Sequence, residues 1–223
     1  MSLVLPDLAS EAPLWLELAA TAAGATTGAI RGMKNEKFDI VGVIALAIAI
    51  GFGGGIVRDI LLGNTPPVSL RTPWFLVTVL VMVLVVAILG RWVLKFGWLF
   101  SAVDALTLGL FAIIGSGYAL DKNLPWITAV LIGTFASVAG GMTADILEGQ
   151  AVSVLRAGPP YALASLVGAI SYTTLVDNLG VDGGISSIVA IALTAFVRFL
   201  AVKYGVRTKP TTLSDPLRGK ITG

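Results

Sequence analysis

Six ionisable side chains, Glu17, Arg58, Asp59, Asp104, Asp145 and Glu148, stand within or at the ends of long apolar runs. An ionisable group at membrane depth is costly enough to count as a functional-site candidate. Carboxylates lining an aqueous path favour cations over anions, so these residue types point to the passage of small ions. They do not point to an enzyme, because Asp59 and Asp145 fall in opposite halves of the membrane, too far apart to act as general acid and base on one substrate. The chain holds no cysteine and no histidine, which removes disulfides, thiolate sites and the usual transition-metal ligands. No cofactor is expected, and no metal beyond transiently bound monovalent cations.

The elements that must position these groups are membrane helices. Of 223 residues, 56% are hydrophobic and 13% charged, with a mean hydropathy of +0.92, far outside the range of water-soluble domains. Seven apolar segments, approximately 14–33, 38–62, 73–92, 98–120, 125–149, 159–179 and 185–203, are each long enough to cross a hydrocarbon core of about 30 Å. The first is not a cleavable signal peptide, because Asp7 and Glu11 precede it where such a peptide carries positive charge. The segments on one side of the membrane carry eleven lysines and arginines, and those on the other only Arg71 and Lys122. This places the N-terminus outside and the C-terminus in the cytoplasm. All five tryptophans fall at span ends, as an interfacial belt requires. The basic residues between spans follow this topology rather than forming a patch for nucleic acid, and the same topology already accounts for the basic tail 203–220, for which attraction to anionic lipid is the other reading.

An internal repeat organises the spans. Gly54-Gly55-Ile56-Val57-Arg58-Asp59 aligns with Gly140-Gly141-Met142-Thr143-Ala144-Asp145 at an offset of 86 residues, as do Pro73 with Pro159 and Phe75 with Tyr161, and at nearly the same offset Glu17 falls opposite Asp104. Three helices per copy is an odd number, so the second copy enters the membrane from the opposite side, giving an inverted repeat. The expected fold is an all-α membrane protein of two inverted three-helix repeats, 14–97 and 98–180, plus a seventh helix at 181–203. An extracellular N-terminus, 1–13, and a cytoplasmic tail, 204–223, flank them.

Gly53, Gly54 and Gly55 in span two and Gly140 and Gly141 in span five lie mid-membrane. A helix break there must line a wet cavity or be buried in protein, whereas the plainer use of such glycines is close helix packing. The run 51–55 lacks the Lys-Ser/Thr ending of a phosphate loop. By topology Glu17, Arg58 and Asp59 form an outer cluster. Arg58 is free to pair with Glu17, while its neighbour Asp59 projects about 100° away on a helix. Asp104, Asp145 and Glu148 form an inner cluster without a cation of its own, since Ala144 stands where the first copy has Arg58. Glu17 and Glu148 could equally titrate in the headgroup region. Ser137, Thr26, Thr27, Thr134 and Thr143 are path-lining candidates, although such hydroxyls more often bond a carbonyl one turn back. Arg198 is expected to snorkel to the cytoplasmic interface.

The segment Gly53 to Asp59, the second motif at Gly140 to Asp145, the Pro73 and Pro159 helix starts and the three-plus-three-plus-one layout resemble the prokaryotic trimeric intracellular cation (TRIC) channels and the related bacterial proteins whose domain is labelled a glycine transporter. The resemblance covers about residues 14–203. It implies a homotrimer in the prokaryotic inner membrane, with one pore per protomer bounded by helices one, two, four and five. Helices two and five would be kinked at their glycines, and potassium would be the main permeant ion, with sodium a lesser candidate. Ala139 and Ala144 depart from the pattern of the first motif. The alternative is a secondary transporter of glycine or another small zwitterion, held by Arg58 and Asp59.

Overall fold

The computed structural model describes residues 12–95, 97–156 and 161–206. The N-terminal segment, Pro159 and the tail beyond 206, about which the sequence raised expectations, lie outside the described residues, as do the side chains of Arg91, Trp92 and Lys95. The described residues form eight α-helices. One is the single turn Val68–Arg71, and the others are numbered here α1 (Leu14–Lys34), α2 (Ile40–Leu61), α3 (Trp74–Lys95), α4 (Gly97–Asp121), α5 (Trp126–Leu147), α6 (Tyr161–Thr173) and α7 (Gly183–Lys203). A π-turn, Thr174–Asn178, prolongs α6. By length and composition α2, α4, α5 and α7 suffice to cross a membrane, and α3 carries a shorter apolar stretch, Trp74–Leu89.

Local chemistry fixes the helix ends. Asp39 caps α2 by accepting a bond from the Gly42 amide, and Asp182 caps α7 by accepting from Gly184 and Ile185, satisfying amides that the first turn leaves open. α1 and α5 follow Pro13 and Pro125, whose fixed φ suits a helix start. α2 and α5 end alike. Gly63 (φ 72°) and Gly149 (φ 68°) take left-handed conformations, and the amides of Asn64 and Gln150 return to the carbonyls of Asp59 and Asp145, a glycine-terminated helix end. No atom would lie within 4 Å of a Cβ at either glycine, so the demand is on the backbone alone. Gly63→Ala and Gly149→Ala are each expected to cost about 1–2 kcal/mol, with asparagine, which tolerates this conformation, costing less. Thermal unfolding in detergent checks this, and equal cost for alanine and asparagine would refute it.

The helices α1, α2, α5 and α4 pack in a ring, α3 lies against α1 and α2, α6 lies against α4 and α5, and α7 lies against α4 and α6. Leu76, Leu80, Leu84 and Ile88 form an exposed stripe along α3, and Trp15, Trp74 and Trp98 are exposed at helix ends, as lipid contact and an interfacial belt require.

The break expected at the glycines is absent: α2 is continuous from Ile40 to Leu61 and α5 from Trp126 to Leu147. The physical reason is that the glycines serve approach rather than interruption. A Cβ on Gly54 would stand 2.5 Å from the Ala136 carbonyl oxygen, and one on Gly140 would stand 2.7 Å from that of Ile50. Residues 50 and 54 of α2 are equivalent to 136 and 140 of α5 at the 86-residue offset, so the crossing is reciprocal, as a two-fold relation produces. A Cβ on Gly53 would stand 2.7 Å from the Gly140 Cα, which places this pair at the point of closest approach.

Candidate functional site

Polar clusters occupy both ends of the α1–α2–α5–α4 ring. In the outer one, Arg58 Nη1 donates to Glu17 Oε1 at 3.0 Å, and Arg58 Nε donates to Asp59 Oδ1 at 2.8 Å. The Tyr118 hydroxyl donates to the same Glu17 oxygen at 2.5 Å, and the guanidinium lies 4.0 Å from the Tyr118 ring centroid. Asp59 Oδ2 accepts from the Val68 amide at 2.7 Å, tying α2 to the one-turn helix that follows it. Arg58 is 2% exposed and Asp59 0%. The expectation that Arg58 and Asp59 do not meet is corrected here. The 100° separation governs where the Cβ atoms point, but the long arginine side chain curls back far enough for its Nε to reach the neighbouring carboxylate.

This cluster borders a closed cavity of about 10 Å³, lined also by Gly51, Gly55, Ser69 and Phe75. That is room for a single water. Among the described residues Arg58 Nη2 and Ser69 Oγ are buried and find no hydrogen-bond partner, and both residues line this cavity.

The inner cluster is built on equivalent carboxylates but different cations. Asp145 Oδ2 accepts from the Ser153 amide and hydroxyl, each at 2.6 Å, bracing the 3-10 turn Ser153–Leu155 as Asp59 braces its own loop. Arg31 of α1 donates to Asp145 Oδ1 at 2.5 Å and to both Glu148 oxygens at 2.8 and 2.9 Å. Asp104 accepts from Arg198 at 3.1 Å and from the Tyr161 hydroxyl at 3.2 Å. These residues line an open cleft of about 360 Å³.

Two expectations are corrected by this geometry. The inner acids do not lack cations, because Arg31 and Arg198 reach them from α1 and α7. Arg198 does not snorkel to the interface, because a buried carboxylate lies closer than water, and its side chain is 15% exposed. Counting only the ion-paired groups, three carboxylates against two guanidiniums inside and two against one outside, each cluster carries a formal charge of −1. Glu148 is held in an ion pair rather than standing free.

The hydroxyls take the plainer role. Thr26, Thr27, Thr134 and Thr143 each donate to the carbonyl four residues back. Ser137 faces α6, where its hydroxyl meets that of Ser165, and it borders neither cavity. Sequence reasoning missed Arg31, Tyr118, Tyr161 and Arg198 as members of the site. The available signals were the alignment of Phe75 with Tyr161 and the position of Arg198 as a charge inside an apolar span.

A helical bundle with exposed apolar stripes and with charged, paired side chains buried towards its two ends is the architecture of a polytopic membrane protein. The comparisons narrow the class. The family described as Glycine transporter matches residues 14–91 and 101–177, and the chain belongs to it, within the grouping that contains the TRIC channels and the UPF0126 membrane proteins. A UPF0126 membrane protein of Deinococcus radiodurans is 34% identical over 70% of this chain and 72% of its own. The UPF0126 inner membrane protein YadS of Escherichia coli K12 is 27% identical over 90% of this chain and 97% of its own. Among solved structures, the TRIC trimeric intracellular cation channel orthologue from Rhodobacter sphaeroides superposes with a TM-score of 0.78 at 25% identity, covering 86% of this chain and 98% of that one. The chain is a bacterial multi-pass membrane protein, and no enzymatic family is indicated.

Proposed function

We propose that the protein is a passive, potassium-preferring cation channel, assembled as a homotrimer with one path through the α1–α2–α5–α4 ring of each protomer. Seven spans in two inverted repeats, with the N-terminus outside and the C-terminus cytoplasmic, set it in the prokaryotic inner membrane. The observation that carries this reading is the pair of buried ionic clusters at the two ends of the ring, each with one more carboxylate than guanidinium, in a bundle whose solved structural relatives are cation channels. Negative charge at both mouths favours cations at entry and exit. Motion at the α2–α5 glycine crossing would open the path between them, and α3, α6 and α7 would supply scaffold and trimer contacts.

The family description raises glycine transport as the other reading. It is not favoured, because Arg58 and Asp59, the pair that would hold a zwitterion, already bind each other and Glu17 beside a cavity of about 10 Å³, which does not admit an amino acid.

Single-channel recording of the purified protein in a planar bilayer under a KCl gradient tests the proposal, with glycine uptake into liposomes measured on the same preparation. Discrete steps reversing near the potassium potential are expected. Silence with saturable glycine uptake would overturn it. Asp104→Asn removes an acid that faces the open cleft and should shift the reversal potential toward that of chloride. Asp145→Asn removes a second acid from the same cleft and should shift it in the same direction. Unchanged reversal potentials in both variants would remove these acids from the path.

A further inference from the structure

We propose that Arg198 is a tethered cation which competes with the permeant ion for Asp104, so that the seventh helix, outside the repeat, carries the inner gate. This rests on the channel reading. The evidence is a constellation built twice from unrelated positions. In the outer half the Glu17 carboxylate accepts from an arginine and a tyrosine hydroxyl, and the guanidinium lies 4.0 Å from that tyrosine's ring centroid. In the inner half Asp104 accepts from Arg198 and from the Tyr161 hydroxyl, and the guanidinium lies 4.7 Å from the Tyr161 ring centroid.

The two carboxylates occupy equivalent repeat positions, but nothing else in the triads does. At the 86-residue offset Ala144 stands at the equivalent of Arg58 and Phe75 at the equivalent of Tyr161, and at the offset of 87 that pairs Glu17 with Asp104, Arg31 stands at the equivalent of Tyr118. The arginine missing from the second repeat is replaced from α7. Stability does not account for this, because an apolar residue in place of a buried ion pair is commonly neutral or better. A carboxylate masked by a removable cation at each end of a conducting path does account for it.

The two triads differ in the way a gate requires. Among the described residues Arg58 pairs with two carboxylates and Arg198 with one. Arg58 borders a closed cavity of about 10 Å³, and Arg198 lines a cleft of about 360 Å³. An ion entering the cleft therefore meets Asp104 paired directly with one guanidinium, that of Arg198, whose side chain is 15% exposed and lies against the Tyr161 ring.

The test is the dependence of single-channel conductance on KCl concentration for wild type, Arg198→Gln and Arg198→Lys. Arg198→Gln is expected to reach half-saturation at about tenfold lower KCl, the effect of losing a competitor worth roughly 1.4 kcal/mol. Arg198→Lys, which keeps the charge, should stay near wild type, and Arg198→Gln with Asp104→Asn should lose the gain. Size-exclusion profiles matching wild type keep the comparison among folded proteins. Wild-type currents together with an Arg198→Gln curve that superposes on them would overturn this inference and leave the channel standing. Absence of current from wild type itself would overturn both.

Discussion

Arg58→Gln is expected to lower stability by about 3–5 kcal/mol, because it leaves two buried carboxylates without their cation. Glu17 and Asp59 are 6% and 0% exposed, and water in a cavity of about 10 Å³ cannot solvate both. For a chain of this size the loss corresponds to a fall in melting temperature of roughly 6–20 °C, measurable by thermal unfolding in detergent. Removing Glu17 as well, in Glu17→Gln/Arg58→Met, should recover a large part of it, because the remaining acid, Asp59, keeps the Val68 amide as donor. A single variant that melts within about 1 kcal/mol of wild type would mean that the outer cluster is not the closed network described above. The equivalent inner position needs no such test, since Ala144 is already neutral and buried.

The second large effect concerns the α2–α5 crossing. Gly54→Ala and Gly140→Ala would each press a methyl group against a backbone carbonyl of the facing helix, at 2.5 and 2.7 Å. Backbone yields less easily than side chain, so each should cost about 1–3 kcal/mol, and the two costs should be similar because the contacts are reciprocal. Leucine at either site should also abolish conduction. Gly55→Ala separates the two readings of the cluster. Nothing lies within 4 Å of its Cβ, so close packing predicts a silent substitution, whereas a flexible hinge predicts loss of conduction from stiffening alone. Equal loss at all three positions would favour the hinge.

Much of the architecture could be read from the chain because membrane burial writes itself into composition. The long apolar runs, the prolines at helix starts and the matched glycine motifs located the long helices and the 86-residue offset, and the topological assignment of charges to two ends anticipated two clusters. What failed was pairing. The sequence placed Arg58 near Glu17 but denied its bond to Asp59, since helical angles describe Cβ atoms and not the reach of a guanidinium. It left the inner acids without cations because the repeat was searched for an equivalent of Arg58, while the counter-charges come from Arg31 in the first copy and Arg198 outside both. The glycines suggested interruption, because propensity is local, but the cost of glycine in a helix is offset here by a carbonyl approach that only tertiary packing reveals.

The unequal cavities beside the two triad arginines, about 10 Å³ at Arg58 and about 360 Å³ at Arg198, would have an electrical consequence in the proposed channel. A wet cleft is nearly equipotential with the solution it opens to, so the membrane voltage falls mainly across the dry remainder of the bundle. Arg58, Asp59 and Glu17 sit in that remainder, and moving one elementary charge through the full potential is worth about 2.3 kcal/mol per 100 mV. The field is thereby focused on the outer triad, while Arg198 and Asp104 lie almost outside it. In the proposed channel, voltage would therefore bear on the outer triad and ion concentration on the Arg198 gate.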